Sequence, residues 1–410
     1  MKHVFLIIGL CLATTAAIAQ KAAVTGAERA AKDQKSNLGE ARNLIKGAMT
    51  NAETKDDPKT WFIAGQVEDA QFNRENTKQI LGQQPNEPVM YEALMNAVPF
   101  FLKANELDQR PNAKGKVAPK YTKNIKGILS ANHIYFLNGG GYYFDEKDYS
   151  KAHNFFEKYL EIANLPFFAG EKTAAKDSTY MMIQFYSAIA ACQMQNPELA
   201  IKVLTRAKDF PFRQSDVYQQ LIVEYDQIKD SVNMEKTLEE GYKIFPDSSM
   251  YLLNLINLYI YSDRNEKAIE LLNTAISKDA KSPELFQALG SVYETGYKDN
   301  KKAEEYFKKA LDLSPDSPIA LSNLGRVYYN QGIGKINDAN ALTDAAAYEA
   351  EKNVAKAFFK QALPFFEKAH QLDPKSFDCM MALRGIYYQL LPEMTKQYEE
   401  MEAKMNLGPQ

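Results

Sequence analysis

The chain is poor in the residues that carry most catalytic and metal chemistry. It contains one Trp, three Cys and four His in 410 residues. Cys192 and Cys379 fall on distant helical stretches, so no disulfide framework holds the fold together. No H-E-x-x-H, C-x-x-C or D-x-D-x-D-G string occurs, and no G-x-S-x-G, so the usual zinc, calcium and nucleophile-elbow signatures are missing. His133, His153 and His370 lie far apart and read as structural side chains. The glycine-rich "LNGGGYYF" at 137–144 lacks the G-K-[ST] of a phosphate loop and reads as a site of close helix packing. An excess of positive charge is missing too. Lys and Arg total 49 against 52 Asp and Glu, a formal net charge of −3, which gives no basic face for nucleic acid. Beyond the first twenty residues no apolar run approaches the roughly 18 residues that a membrane-spanning helix needs.

What is present is a composition of folded type, 45% hydrophobic and 25% charged, with 24 Tyr and 22 Phe. The start, "MKHVFLIIGLCLATTAAIAQ", has a positive charge at Lys2, a short apolar stretch from Val4 to Leu12 and a small-x-small site at Ala17-Ile18-Ala19. This reads as a signal peptide over 1–19, with the mature chain starting at Gln20. Leu10 stands where a lipobox needs a small residue before Cys11, so lipidation is not expected. The expected location is therefore the periplasm or the medium, without a direct membrane span.

One dozen residues is nearly written twice. "AVPFFLKANELD" at 97–108 and "ALPFFEKAHQLD" at 362–373 are identical at eight of twelve positions. Between them a shorter frame recurs. Residues 283–315 place Phe286, Leu289, Gly290 and Tyr293 on one predicted helix and Ala303, Phe307 and Ala310 on the next, with Pro315 after it. The frame returns at 249–280 (Leu252, Leu255, Tyr259, Ala268, Leu272, Ala275), at 215–246 (Tyr218, Leu221, Tyr225, Leu238, Gly241, Pro246), more weakly at 181–212, and at 133–163 (Phe136, Gly140, Tyr143, Ala152, Phe156, Tyr159). Ala41, Ile45 and Ala48 suggest the second helix of a partial unit ahead of Trp61.

This spacing resembles the tetratricopeptide repeat, a 34-residue helical hairpin. In that frame the small residue permits close helix crossing and the aromatics fill the space between helices. One residue is extra at 283–315 and is expected in the turn "GYKDN". The near-duplicate dozen then forms second helices, partnered with Trp61–Gly65 and with Leu321–Tyr328. In each case an insertion precedes it, read as a lengthened hairpin with a broken stretch near Gly82 to Pro88 in the first. Pro99 and Pro364 fall inside these long helices and are expected to kink them.

The expected fold is all-α, a tetratricopeptide-type α-solenoid. The resemblance implies one right-handed superhelix of about eight antiparallel hairpins over 20–410, two of them lengthened, with a terminal helix cap at about 392–407. It resembles exported tetratricopeptide proteins of Gram-negative bacteria. The resemblance also implies which first-helix positions face the concave surface: Phe62, Gln66, Phe185, Ile189, Gln219, Leu253, Asn257, Gln287, Ser291, Ser322 and Arg326, with Tyr329 beside them. Val223, Met381 and Gly385 fall in the same register. Asn257 and Arg326 echo a carboxylate clamp, but the clamp lysine is missing at every equivalent position.

The function that follows is a non-enzymatic scaffold binding a protein or peptide, without a cofactor or metal. The alternative is a structural or assembly component of a cell-envelope export or uptake complex, in which the long hairpins make the contacts. An envelope hydrolase is the third reading and lacks a catalytic constellation.

Overall fold

The computed structural model describes residues 20–112 and 114–406, so the proposed signal segment lies outside the described residues. Among these residues there is no strand. Helices follow one another as α1 (20–32), α2 (Leu38–Thr50), α3 (Pro58–Ile80), α4 (Glu87–Asp108), α5 (Thr122–Asp145), α6 (Tyr149–Ala163), α7 (Ser178–Gln193), α8 (Pro197–Ala207) and α9 (Gln214–Gln227). They continue as α10 (Ser231–Ile244), α11 (Ser249–Tyr261), α12 (Asn265–Lys278), α13 (Pro283–Ser291), α14 (Asn300–Leu313), α15 (Pro318–Asn340), α16 (Ala345–Leu372), α17 (Phe377–Gln389) and α18 (Thr395–Asn406). The chain divides into two compact units, Met1–Met234 and Glu235–Gln410. Within each, successive helices pack on one another as an α-solenoid.

Helix starts follow from local sequence. Asp57, Asp148, Asp177, Asn196, Asp299, Ser317, Asp344 and Ser376 each precede a helix and accept a hydrogen bond from an N–H of its first turn. Such caps satisfy donors that have no partner inside the helix, each contributing about 1 kcal/mol.

The turn inside each short hairpin has a fixed backbone signature. Lys147, Gln195, Lys229, Asp263 and Lys298 adopt φ of 61°, 54°, 58°, 58° and 56°, in the left-handed region. From Gln195 to Lys229 to Asp263 the step is 34 residues each time, and from Asp263 to Lys298 it is 35. The next residue's N–H bonds back to the tyrosine carbonyl of the first helix: Asp148 to Tyr143 (2.9 Å), Asp230 to Tyr225 (2.9 Å) and Arg264 to Tyr259 (2.7 Å). This is the left-handed helix stop that satisfies carbonyls at a C-terminus.

In the unit with one extra residue, the equivalent bond runs from Asp299 to Tyr293 (2.9 Å) and so spans one residue more. Val292–Gly296 forms a π-helical turn at that point. The extra residue is thus absorbed inside the first helix as a π-bulge, not in the turn "GYKDN" as the sequence suggested. Its consequence is close approach: a Cβ on Gly296 would lie 2.2 Å from Oδ1 of Asn265.

Packing inside the hairpins rests on glycine against an aromatic ring. A Cβ built on Gly65 would meet Phe101 at 2.5 Å, on Gly140 would meet Phe156 at 2.3 Å, on Gly290 would meet Phe307 at 2.6 Å, and on Gly325 would meet Phe366 at 2.8 Å. Phe101 and Phe366 are the second phenylalanines of the duplicated dozen. That dozen recurs because both copies supply the ring that fills a glycine notch on the preceding helix. Gly139 meets Phe155 in the same way, so the glycine-rich stretch is a packing surface.

Both insertions lengthen their hairpins. In the α15/α16 pair the notch is repeated one heptad away, Gly332 against Phe359, with 2.8 Å to a virtual Cβ. Antiparallel helices bring 325 opposite 366 and 332 opposite 359, so the added length continues the same registry. In the α3/α4 pair, Phe72 and Leu94 are buried at the corresponding places, and the connection 81–86 is non-helical. Both helices run on through Pro99 and Pro364. The segment 20–32 forms a first helix for Ala41, Ile45 and Ala48, all buried in α2, so that unit is not partial.

The connection 110–120 is tied down by Asp108, which accepts hydrogen bonds from the N–H groups of Lys120, Tyr121 and Thr122 at 2.7–2.9 Å. The connection 164–179 holds two short 3₁₀ turns and buries Phe168 completely.

Candidate functional site

The expected contact residues separate into two groups. Phe62 and Phe185 are core residues and are closed to a partner. Phe62 is covered by Tyr121 (4.8 Å between ring centroids) and Phe101 (6.1 Å). Phe185 is covered by Phe212 (5.8 Å) and by the guanidinium of Arg213 at 5.0 Å. Ile189 is partly buried and packs in the same cluster. Gln219 is exposed and donates to Ser215. Leu253, Gln287 and Ser291 are partly buried, and Asn257 is exposed.

Gln66 borders a small polar cleft of about 160 Å³ in the first unit, with Lys32, Gln34, Asp69, Asn73 and Arg74. Its groups are largely spent on the fold. Asp69 accepts from Asn132 (2.7 Å) and Asn73 (3.0 Å), and Arg74 donates to the carbonyls of Ser36 (2.9 Å) and Asp33 (2.7 Å). Burial raises the Asp69 carboxyl above its ordinary range.

Ser322, Arg326 and Tyr329 do come together. They line a cleft of about 530 Å³ in the second unit, with α15 as one wall and the start of α17 as the other. Phe366 and Ala369 of α16 form part of the lining, and Met381 and Ala382 face from α17. A hollow of about 580 Å³ along α12, ending at Tyr297, is lined by one helix face and that single tyrosine. It offers one wall where the α15–α17 cleft offers two.

Each lining group of the two-walled cleft is set by its helix. Ser317 and Ser376 cap α15 and α17, fixing the first turns that carry Ile319 and Asp378. Arg326 donates two hydrogen bonds to Glu294 (3.1 and 2.7 Å), and Asn330 donates to the same carboxylate at 3.3 Å. Tyr329 rests on Phe359, 5.6 Å between centroids, and its hydroxyl closes over Gly385. Cys379 lies at the base, 2% exposed, its thiol donating to the Phe366 carbonyl at 3.3 Å. Burial pushes that thiol up to about 11, so it stays protonated and unreactive at neutral pH. The rim is apolar and open: Ile319 is 67% exposed and Met381 41%.

No group of three or more possible metal ligands occurs among the described residues. His133 stacks on Tyr159 (3.7 Å between centroids) and bonds its carbonyl at 2.9 Å; burial lowers its pKa. His153, Ser187 and Glu157 lie together. Ser187 is fully buried and donates to Glu157, which is also held by Arg206. A serine so enclosed meets no substrate, and this network ties α6 to α7 and α8.

Stacked helical hairpins with a two-walled cleft between first helices define a helical-repeat interaction scaffold. Residues 283–317 match the tetratricopeptide repeat model. The glycine notch and left-handed turn of that matched unit recur in both compact units, so the chain carries tetratricopeptide-type repeats beyond the matched stretch. Among curated proteins, the photosystem I assembly protein Ycf3 of Cyanophora paradoxa is 32% identical over 87 residues, 21% of this chain and 44% of that protein. The chain thus spans less than half the length of that relative. Among solved structures, yeast Tom70 is 13% identical, covering 90% of this chain and 81% of its own, with a TM-score of 0.42. A TPR repeats protein from Bacteroides fragilis is 20% identical, covering 63% and 99%, with a TM-score of 0.30.

The sequence missed two features. The left-handed turn residue could have been found from its partner: Lys-Asp or Gln-Asn closes four of these five turns, and Asp263-Arg264 the other. Closure of Phe62 and Phe185 came from Tyr121 and from Phe212-Arg213, which lie on connections between helices and not on the helical positions of the repeat.

Proposed function

We propose that this protein is an exported, non-enzymatic scaffold that holds a segment of another protein in the α15–α17 cleft. The observation that carries the reading is the convergence of Ser322, Arg326 and Tyr329 with an exposed apolar rim at Ile319 and Met381. Extended segments bind such grooves through side-chain pockets and backbone contacts. Changing Ile319 and Met381 together to Ser removes the rim without touching the core. It should sharply reduce recovery of co-purifying partners while leaving helix content unchanged. Undiminished recovery would overturn the cleft as the working surface. Export is supported by the pattern of residues 1–19. A mature N-terminus at Gln20 in the periplasm or medium is expected; Met1 retained in washed inner membranes, or lipid on Cys11, would overturn it.

A second reading, an assembly component of a cell-envelope complex, is favoured by the hairpin tips. Ile80 and Leu81 at the end of α3 are 71% and 67% exposed, and Leu342 beyond α15 is 41% exposed. Adjacent exposed aliphatic side chains on a protruding turn suit a pocket on a neighbour. Ycf3, with which the chain shares limited similarity, is itself named an assembly protein. In this reading Ile80→Ser with Leu81→Ser abolishes partner recovery and the cleft variant does not.

A further inference from the structure

The charges around the α15–α17 cleft are unequally committed. Arg326 is the one cation among the described residues that line it, and its Nε and Nη2 donate to Glu294, whose side chain is 9% exposed and whose carboxylate balances the Arg326 charge. Lys368 of α16 is likewise engaged, by Asp316 at 2.8 Å and the Pro315 carbonyl at 2.9 Å. Two carboxylates on the cleft lining, Asp373 and Asp378, have no cation within ion-pair distance among the described residues. Asp373 accepts only the Lys375 N–H, at 3.2 Å, through one of its two oxygens. The open charge of the cleft is therefore negative, and it lies beside the apolar rim of Ile319 and Met381.

We propose that the cleft selects a basic segment, a Lys or Arg flanked by aliphatic residues, in an extended stretch of the partner polypeptide. This rests on the cleft being the working surface. The stem of a Lys or Arg is apolar and its head is charged, which matches a lining where aliphatic side chains meet unpaired carboxylates. Met381 is flexible and fits aliphatic neighbours of varied shape. An acidic segment or a C-terminal carboxylate meets a guanidinium whose charge Glu294 already balances, and two like charges beside it. The volume, about 530 Å³, is in the range of about 300–1,000 Å³ usual for ligand sites.

The test uses the purified full chain and three acetylated, amidated nonapeptides of sequence Gly-Ser-Gly-Leu-X-Leu-Gly-Ser-Gly, with X as Lys, norleucine or Glu. Titration calorimetry at about 50 mM salt should show the Lys peptide binding at least about tenfold tighter than the Glu peptide. At about 500 mM salt, where the screening length falls to a few ångströms, the preference should drop to about twofold. Asp373→Asn with Asp378→Asn, both exposed, should erase the preference without altering the circular dichroism spectrum. Ile319→Ser with Met381→Ser should weaken all three peptides. Equal binding of the Lys and norleucine peptides, or preference for Glu, overturns the charge selection and leaves the cleft as a binding surface. Failure of all three to bind also overturns it; the cleft reading is then judged separately, by partner recovery with the rim variant.

Discussion

Gly290→Ala is the smallest change that reaches the device holding these hairpins together. An ideal Cβ at Gly290 would lie 2.6, 2.7 and 3.0 Å from Cε1, Cδ1 and Cζ of Phe307. Contacts this short force a shift, and the ring has nowhere to go, since Phe307 is fully buried. Overpacking of this kind costs about 1–3 kcal/mol. Replacing a helical Gly by Ala returns about 1 kcal/mol. The balance is a net loss of about 1 kcal/mol, and Gly290→Leu should lose more. Gly334→Ala is the matched control, because that glycine also sits within a helix and a Cβ there meets nothing within 4 Å. It should gain about 1 kcal/mol from helix propensity alone. Urea unfolding followed by circular dichroism reads both. Trimming the ring with Phe307→Leu should make Gly290→Ala less costly than in the parent, a coupling of about 1 kcal/mol between touching residues. If Gly290→Ala stabilises the parent chain as Gly334→Ala does, or costs the same with and without the Phe307 ring, the glycine–aromatic notch is not what sets the helix crossing.

Lys298→Gly should stabilise the chain by about 1 kcal/mol in the same assay, because it relieves a left-handed backbone at an exposed turn. Arg42→Ala should cost about 1–3 kcal/mol, because it leaves the Glu68 carboxylate, 7% exposed and held by two hydrogen bonds of 2.7 Å, without its partner. Burial alone would raise the Asp108 carboxyl, but the N–H groups of Lys120, Tyr121 and Thr122 outweigh it and hold the pKa below the ordinary value. A depressed folded-state pKa stabilises above the unfolded value and is lost as pH falls through the folded one. The stability gap between the parent and Asp108→Asn should therefore be full at pH 6 and shrink below about pH 4.

Much of this architecture is legible in the sequence because the repeat writes its contacts at fixed intervals. Gly290 and Phe307, or Gly325 and Phe366, can be paired from spacing alone, and the lengthened hairpins follow from the displaced second helices. The π-bulge at Val292–Gly296 was not legible. An extra residue can be absorbed in a turn or in a helix, and only the bond from Asp299 to Tyr293 distinguishes the two. The site was legible in part. Register located Ser322, Arg326 and Tyr329 because α15 follows the repeat frame through its first half. It failed at Phe62 and Phe185, where Tyr121 and Phe212 cover the rings from the connections between helices, which the helical pattern does not describe. The pairing of Arg326 with Glu294, which leaves the cleft acidic, depends on side chains 32 positions apart and on the bulged helix that carries Glu294.

Site-specific photo-cross-linking in the producing cells tests the central claim most directly. A benzophenone side chain placed at Ile319 or Met381, on the rim of the α15–α17 cleft, is compared with one at Ile80 on the α3 tip. The cleft account predicts partner adducts from both rim positions, with cross-linked peptides of the partner rich in Lys or Arg beside aliphatic residues. Adducts from Ile80 alone, with none from either rim position, would contradict it.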